Sequence, residues 1–176
     1  CEPIEQSVYF VDSGSKTALL VDLLQDGAID RALIFTRTKH GANRLAQKLT
    51  KRSIPASAIH GNKSQSARER TLLGLRSGET RVVVATVLES RGRDVKGLSH
   101  VVNFDLPNEP ESYVHRVGRT GRAGESGIAV SLCAPDERPY LQAIEKLTGR
   151  KLIRRSVEAH GLPAASAEEV RAPRIA

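Results

Sequence analysis

The run Arg81-Val-Val-Val-Ala-Thr86 is the most apolar strand-like segment of the chain, and its residues do not alternate in character. A strand with one wet face alternates apolar and polar residues. A strand covered on both faces reads as an unbroken apolar run. The segment therefore predicts a central strand in a sheet with helices on both sides. Upstream, Ala32-Leu-Ile-Phe35 and Ala56-Ser-Ala-Ile-His60 read as two more short strands. The first leads into a helix with Ala42, Leu45, Ala46 and Leu49 at i, i+3, i+4 and i+7. The second leads through Gly61 into a helix from about Gln65 to Arg76. Further out, Ile4 to Val11 reads as a strand. Ser15 to Gln25 follows as a helix with Leu20, Leu23 and Leu24 on one face, stopped by Gly27. Downstream, His100 to Phe104 and Gly127 to Leu132 are strands. A last helix spans about Asp136 to Leu147, with Tyr140, Ile144 and Leu147 predicted to face inward.

Strand and helix alternate along the whole run. This predicts an α/β, three-layer domain with a mostly parallel sheet covered on both faces. In such sheets ligands gather at the carboxyl ends of the strands. The domain is expected over residues 1–153. Residues 154–176, rich in Ala, Glu, Pro and Arg and free of aromatics, are expected to form a partly helical or disordered extension.

Composition narrows the possible partners. The 176 residues are 39% apolar and only 3% aromatic, so the core must be aliphatic. The chain has no Met, which leads us to expect a processed chain or a fragment. Cys1 and Cys133 offer no metal-ligand spacing, so a reducing, cytoplasmic setting is expected. No apolar run reaches the length of a membrane span, and the chain is expected to be a monomer. The net charge of +7 is unevenly placed: residues 31–86 hold twelve Lys/Arg against two Glu. Such a block suits a polyanion, although a solvated basic helix face explains charge alone equally well.

The strongest chemical signal is Tyr113-Val-His-Arg-Val-Gly-Arg-Thr-Gly-Arg-Ala-Gly124, where Arg116, Arg119 and Arg122 recur every three residues with Gly118, Gly121 and Gly124. Arginine presents a planar fork of donors to phosphate oxygens, and glycine permits close backbone approach. The stretch reads as a phosphate-facing loop. It is neither the dinucleotide fingerprint nor a Walker A loop. Ser13-Gly-Ser-Lys-Thr17 also fails the Walker spacing and reads as a helix N-terminus. Thr36-Arg-Thr-Lys39 follows a strand and can either hold phosphate or cap the next helix. Gln65 and Arg68 share one helix face beside a helix N-terminus, a place suited to an anion.

Together these segments resemble the DEAD-box RNA helicases of superfamily 2. His115 to Arg122 resembles their motif VI, and the likeness covers about residues 4–150. Among bacterial members it resembles the RhlE type. The resemblance implies a RecA-like fold, the second of two such domains in an ATP-dependent RNA helicase. It implies RNA-backbone contacts by Thr38, Lys39, Gln65, Arg68 and Thr86, and ATP contacts by Gly92, Asp94, Arg119 and Arg122, with the two arginines as catalytic fingers. It further implies that His115, Arg116 and Asp105 serve the interface with an N-terminal RecA-like domain of the same polypeptide, Arg116 bracing its loop through Asp105. ATP and Mg²⁺ are the implied cofactors, with no protein metal ligand in this chain. Val87 and Arg93 depart from the family's motif V, and a charged Arg93 is costly to bury unpaired. Two other readings stay open at this point: a stand-alone RNA-binding module, and the matching half of a DNA translocase.

The sequence contains neither a Walker A motif nor Asp-Glu-Ala-Asp. By itself the chain is therefore expected to show no measurable ATP turnover in a steady-state assay. RNA-stimulated turnover that disappears in Arg122→Ala would contradict this.

Overall fold

The computed structural model describes residues 4–61, 63–86, 98–118 and 127–165. Their strands are β1 (Glu5–Phe10), β2 (Ala32–Phe35), β3 (Ala56–Ile59), β4 (Val82–Ala85), β5 (His100–Asn103), β6 (Ile128–Cys133) and β7 (Ile153–Arg155). Their helices are α1 (Lys16–Gln25), α2 (Lys39–Lys51), α3 (Gln65–Ser77), α4 (Pro110–Val117) and α5 (Arg138–Thr148). All seven strands run parallel in the order β3-β4-β2-β5-β6-β1-β7. This is the three-layer parallel arrangement that the alternation of elements predicts, and it agrees with the RecA-like fold that the resemblance implies.

The unbroken apolar strands split their side chains between two cores. Ala32, Ile34, Val82 and Val84 join α1 and α2 on one face. Leu33, Phe35, Val83 and Ala85 pack with Leu75 of α3 and Val101 on the other. A third cluster seats Tyr113, Val117, Leu141 and Ile144 of α4 and α5 against Val8, Ala129 and Cys133. Every residue of β2 and β4 is buried, as covered strands require. Strand β4 is paired on both sides but lies second from an edge. The middle of the sheet is β2, β5 and β6.

Helix ends follow local chemistry. Thr38 and Ser64 cap α2 and α3 by accepting from the backbone N–H of Gly41 and Ala67. Gly78 and Gly149 end α3 and α5 in the left-handed conformation. Three expectations change. The segment opening at Tyr113 is helical through Val117 rather than a loop, started by Pro110 and anchored by buried Tyr113 and Val117. In α5 Ile144 and Leu141 are buried and Tyr140 is half-buried against the same core, while Leu147 is exposed. Finally, β7 pairs with β1 across the boundary drawn at 153, and Val157 reaches the core. Among the described residues no helix is long and apolar enough to cross a membrane.

Burial holds the rings of His60 and His100 in their neutral form by lowering both pKa values. Nearby Lys63 and Lys39 lower His60 further, while Asp30 and Glu5 partly oppose the effect at His100. The unfolded chain takes up protons at ordinary histidine values of about 6.5. It therefore binds more protons than the folded state as pH falls, and stability is lost from that point downward. Urea unfolding is expected to show a falling midpoint between about pH 7.5 and about pH 5.5. A flat or rising midpoint across that window would contradict the neutral-ring assignment.

Candidate nucleic-acid interface

Because the sheet is parallel, the loops after β2, β3, β4 and β5 all emerge at one edge. The first residues of α2, α3 and α4 lie there too, so their positive dipole ends face the same edge. Along it the strand order β3-β4-β2 sets three groups side by side. Gln65 and Arg68 follow β3, Thr86 follows β4, and Thr38 and Lys39 follow β2.

Each residue is positioned by backbone structure. The Thr38 hydroxyl accepts from Gly41 N at 3.0 Å, so the cap and the phosphate-facing readings of this residue are compatible. An accepting hydroxyl keeps its own proton to donate outward. Gly41 leaves room for this cap, since a Cβ there would lie 3.1 Å from the Thr38 hydroxyl oxygen. Thr36 is buried and donates to the Thr38 carbonyl at 3.2 Å. Lys39 is exposed at the start of α2. Arg68 donates to Gln65 Oε1 at 2.8 Å, which fixes the two side chains together on the first turn of α3. Thr86 is half-buried, with its backbone N–H on Ile59 O at 3.3 Å.

Next along the edge lies a buried ion cluster whose members the sequence does not announce as a group. Lys16 Nζ donates to Phe104 O at 2.7 Å, Asp105 Oδ1 at 3.2 Å and Glu137 Oε1 at 2.5 Å. Lys16 and Glu137 are each 3% exposed. Glu137 also accepts from Ala134 N, Leu106 N and Arg37 Nη2. The second oxygen of Asp105 accepts from Arg37 N at 2.9 Å. The lysine of Ser13-Gly-Ser-Lys-Thr17 is thus consumed by structure, in keeping with its failed Walker spacing.

Arg116 reaches this cluster from α4. Its Nη1 donates to Asn103 Oδ1 and to the backbone oxygen of Asp105, both at 3.1 Å, while its guanidinium lies over the Phe35 ring. Contact with Asp105 therefore runs through the main chain, because the carboxylate is occupied by Lys16 and Arg37. Burial lowers the Arg116 pKa to about 10 against the opposing pull of Asp105, with Arg37 lowering it as well, so it stays charged at neutral pH. His115 is exposed on the same helix. Gly92, Asp94, Arg119 and Arg122 lie outside the described residues, as do Val87 and Arg93.

The donor set at this edge is hydroxyls, amides, cations and helix N-termini. That chemistry suits phosphate oxygens. It does not suit a divalent cation, since the Asp105 and Glu137 carboxylates are already matched by Lys16, Arg37 and backbone N–H groups. Asp22, Asp26 and His160 do bring ligand-type atoms within 4.8 Å of one another. They sit on α1 toward its C-terminal end and on the 158–160 turn, at the opposite edge of the sheet.

Residues 15–124 match the family described as the helicase conserved C-terminal domain. The chain is 40% identical over 149 residues to the ATP-dependent RNA helicase RhlB of Pseudomonas syringae pv. tomato, covering 85% of this chain and 38% of that protein. It is 42% identical over 151 residues to the DEAD-box ATP-dependent RNA helicase CshA of Bacillus subtilis, covering 86% of this chain and 31% of that protein. The chain thus spans about a third of the length of these relatives. Among solved structures it is similar to the E. coli DEAD-box protein SrmB bound to regulator of ribonuclease activity A. There the TM-score is 0.85 at 32% identity, over 98% of this chain and 99% of that one. It is also similar to S. cerevisiae Dbp5 bound to RNA and ADP BeF3, with a TM-score of 0.82 at 32% identity, over 90% of this chain and 43% of that one.

Replacing Glu137 by Gln should leave Lys16 buried without its closest anion. Breaking one side of a buried pair costs roughly 3–5 kcal/mol. Urea unfolding of Glu137→Gln is expected to show a loss of that order, and a loss below about 1 kcal/mol would remove the cluster from its structural role.

Proposed function

This chain belongs to the helicase conserved C-terminal domain family, in the form carried by DEAD-box RNA helicases, and from that premise we propose that it is the RNA- and ATP-facing second half of an ATP-dependent RNA helicase core. The observation that carries the proposal is the alignment of Gln65 and Arg68, Thr86, and Thr38 and Lys39 at the carboxyl ends of three adjacent parallel strands. A single strand laid across β3, β4 and β2 would meet hydroxyl and guanidinium donors and two helix N-termini in succession. Such contacts bind the backbone and do not read base sequence. The RNA bound to Dbp5, whose fold this chain shares, supports the choice of RNA over DNA.

Hydrolysis needs a partner domain. An N-terminal RecA-like domain of the same polypeptide supplies the P-loop and the Mg²⁺ ligands. This chain supplies Gly92 and Asp94 toward the nucleotide and Arg119 and Arg122 toward the γ-phosphate. The arginines neutralise charge that develops on the transferring phosphoryl group. Asp105 and Arg116 brace the end of α4, from which the chain runs on to Arg119 and Arg122, and His115 faces the partner domain. The enzyme works as a cytoplasmic monomer. The RhlE-type likeness is a finer assignment within the same family.

Two sets of variants in the enzyme carrying both halves separate these roles. Arg119→Ala and Arg122→Ala are each expected to lower kcat by roughly 10³–10⁵, with nucleotide-free RNA affinity and melting temperature nearly unchanged. Arg68→Ala and Thr86→Ala are expected to weaken RNA binding in any sequence context. A folded Arg122→Ala enzyme that keeps more than about a tenth of the parent kcat, a loss below roughly 1.4 kcal/mol, would remove that residue from the finger role. Unchanged RNA affinity in both Arg68→Ala and Thr86→Ala would move the RNA site elsewhere.

A further inference from the structure

Two groups of cations within the basic block differ in their partners. Arg31 donates to the carbonyls of Leu75 and Arg76. Arg37 enters the ion cluster, and Arg81 donates to the carbonyls of Asp30, Ile29 and Leu24. These cations have structural work. A second population lies along the outer face of α2. The helix buries Ala42, Leu45, Ala46 and Leu49 against β3 and β4. On its opposite face His40, Arg44, Lys48, Lys51 and the cap residue Arg52 are exposed. Residues 40, 44, 48 and 52 are four apart and form one stripe, with Lys51 beside it. From His40 to Arg52 the stripe is about 18 Å long at 1.5 Å per residue.

Two features argue against a merely solvated face. No acidic residue occurs anywhere between Asp30 and Glu69, so the stripe lacks the i, i+4 acid–base pairing that usually supports an exposed charged helix. Its cations also extend beyond the end that the helix dipole favours. Lys48, Lys51 and Arg52 lie at the favoured C-terminal end. Arg44 lies in the N-terminal half with Lys39 ahead of it, where acidic residues would be stabilising and the first turn has none. Positive charge placed where local electrostatics disfavour it suits an external polyanion.

We propose that this stripe binds phosphates of the RNA strand that lie beyond the carboxyl-edge site, guiding the strand from Thr38 and Lys39 along the outside of α2. The inference rests on the RNA reading above. It adds a surface that none of the motif residues includes. It also sets a chemical requirement: a continuous sugar–phosphate backbone longer than the segment spanning β3, β4 and β2, of any sequence.

The test compares two single-stranded RNAs on the 176-residue chain, one just long enough to cross the carboxyl edge and one several-fold longer. The variant is Arg44→Gln/Lys48→Gln/Lys51→Gln, whose positions are exposed and open no cavity. Three lost phosphate contacts on a single strand should make the log–log salt dependence shallower by about 2 and weaken the longer RNA on the order of tenfold, with the shorter RNA changed less than about twofold. Equal effects on both strands would place these cations in the edge site itself and overturn the proposal. So would an unchanged affinity for the longer strand, the result expected if α2 instead faces an acidic protein. Should the parent chain bind neither RNA, the RNA reading itself fails. Should it bind the short strand normally while the variant leaves the long strand unaffected, only this inference fails.

Discussion

Lys16 carries its ammonium group into the interior, and the organisation of the functional edge follows from how that charge is satisfied. Its three acceptors come from two places: the Phe104 carbonyl and the Asp105 side chain just after β5, and Glu137 in the turn before α5. Arg37, just past β2, closes the cluster through both acids. The start of α1, the carboxyl ends of β2 and β5, and the approach to α5 are therefore mutually located. A buried pair of this kind need not add net stability, because desolvation offsets much of the attraction. Its effect is directional. Any shift of one strand end leaves a charge without a partner, at a cost of several kcal/mol. The loops that leave β2 and β5 thus begin from fixed positions.

The same arrangement gives the edge its chemical character. Because Asp105 and Glu137 spend their oxygens on Lys16, Arg37 and backbone N–H groups, little negative charge is left to repel a phosphate there. The outward groups are Thr38, Lys39, Gln65, Arg68 and Thr86, backed by helix N-termini. Arg116 is held between Asn103, the Asp105 carbonyl and the Phe35 ring, just before the arginine- and glycine-rich stretch of sequence begins.

How much of this was legible in the sequence depends on the range of the interaction. Strands such as Ala32–Phe35 and Val82–Ala85 announce themselves because burial on both faces leaves only apolar residues. The apolar face of α2 is legible from period alone: Ala42, Leu45, Ala46 and Leu49 are its buried residues. The convergence of motifs at one edge follows from parallel topology. What could not be read was pairing across the fold. Glu137 and Lys16 are 121 positions apart, and neither has a local signature of burial. Helix α4 was hidden because His115 and Arg116 open an arginine- and glycine-rich stretch that reads as loop chemistry, although Pro110 at its start and the Tyr113–Val117 spacing carried the helical signal. Strand β7 is only three residues long and exposed, so it lacks the apolar pattern that marks the others.

The central claim is that the carboxyl ends of β3, β4 and β2 form one RNA-phosphate surface. The most direct measurement is a chemical-shift titration of the ¹⁵N-labelled chain with a short single-stranded RNA. The account predicts perturbed amides at residues 36–39, 63–68 and 86, which are distant in sequence and adjacent at the sheet edge, with perturbations that shrink as salt rises. Perturbations confined to the opposite edge, around Asp22, Asp26 and His160, or none at RNA concentrations that show binding by other means, would contradict it.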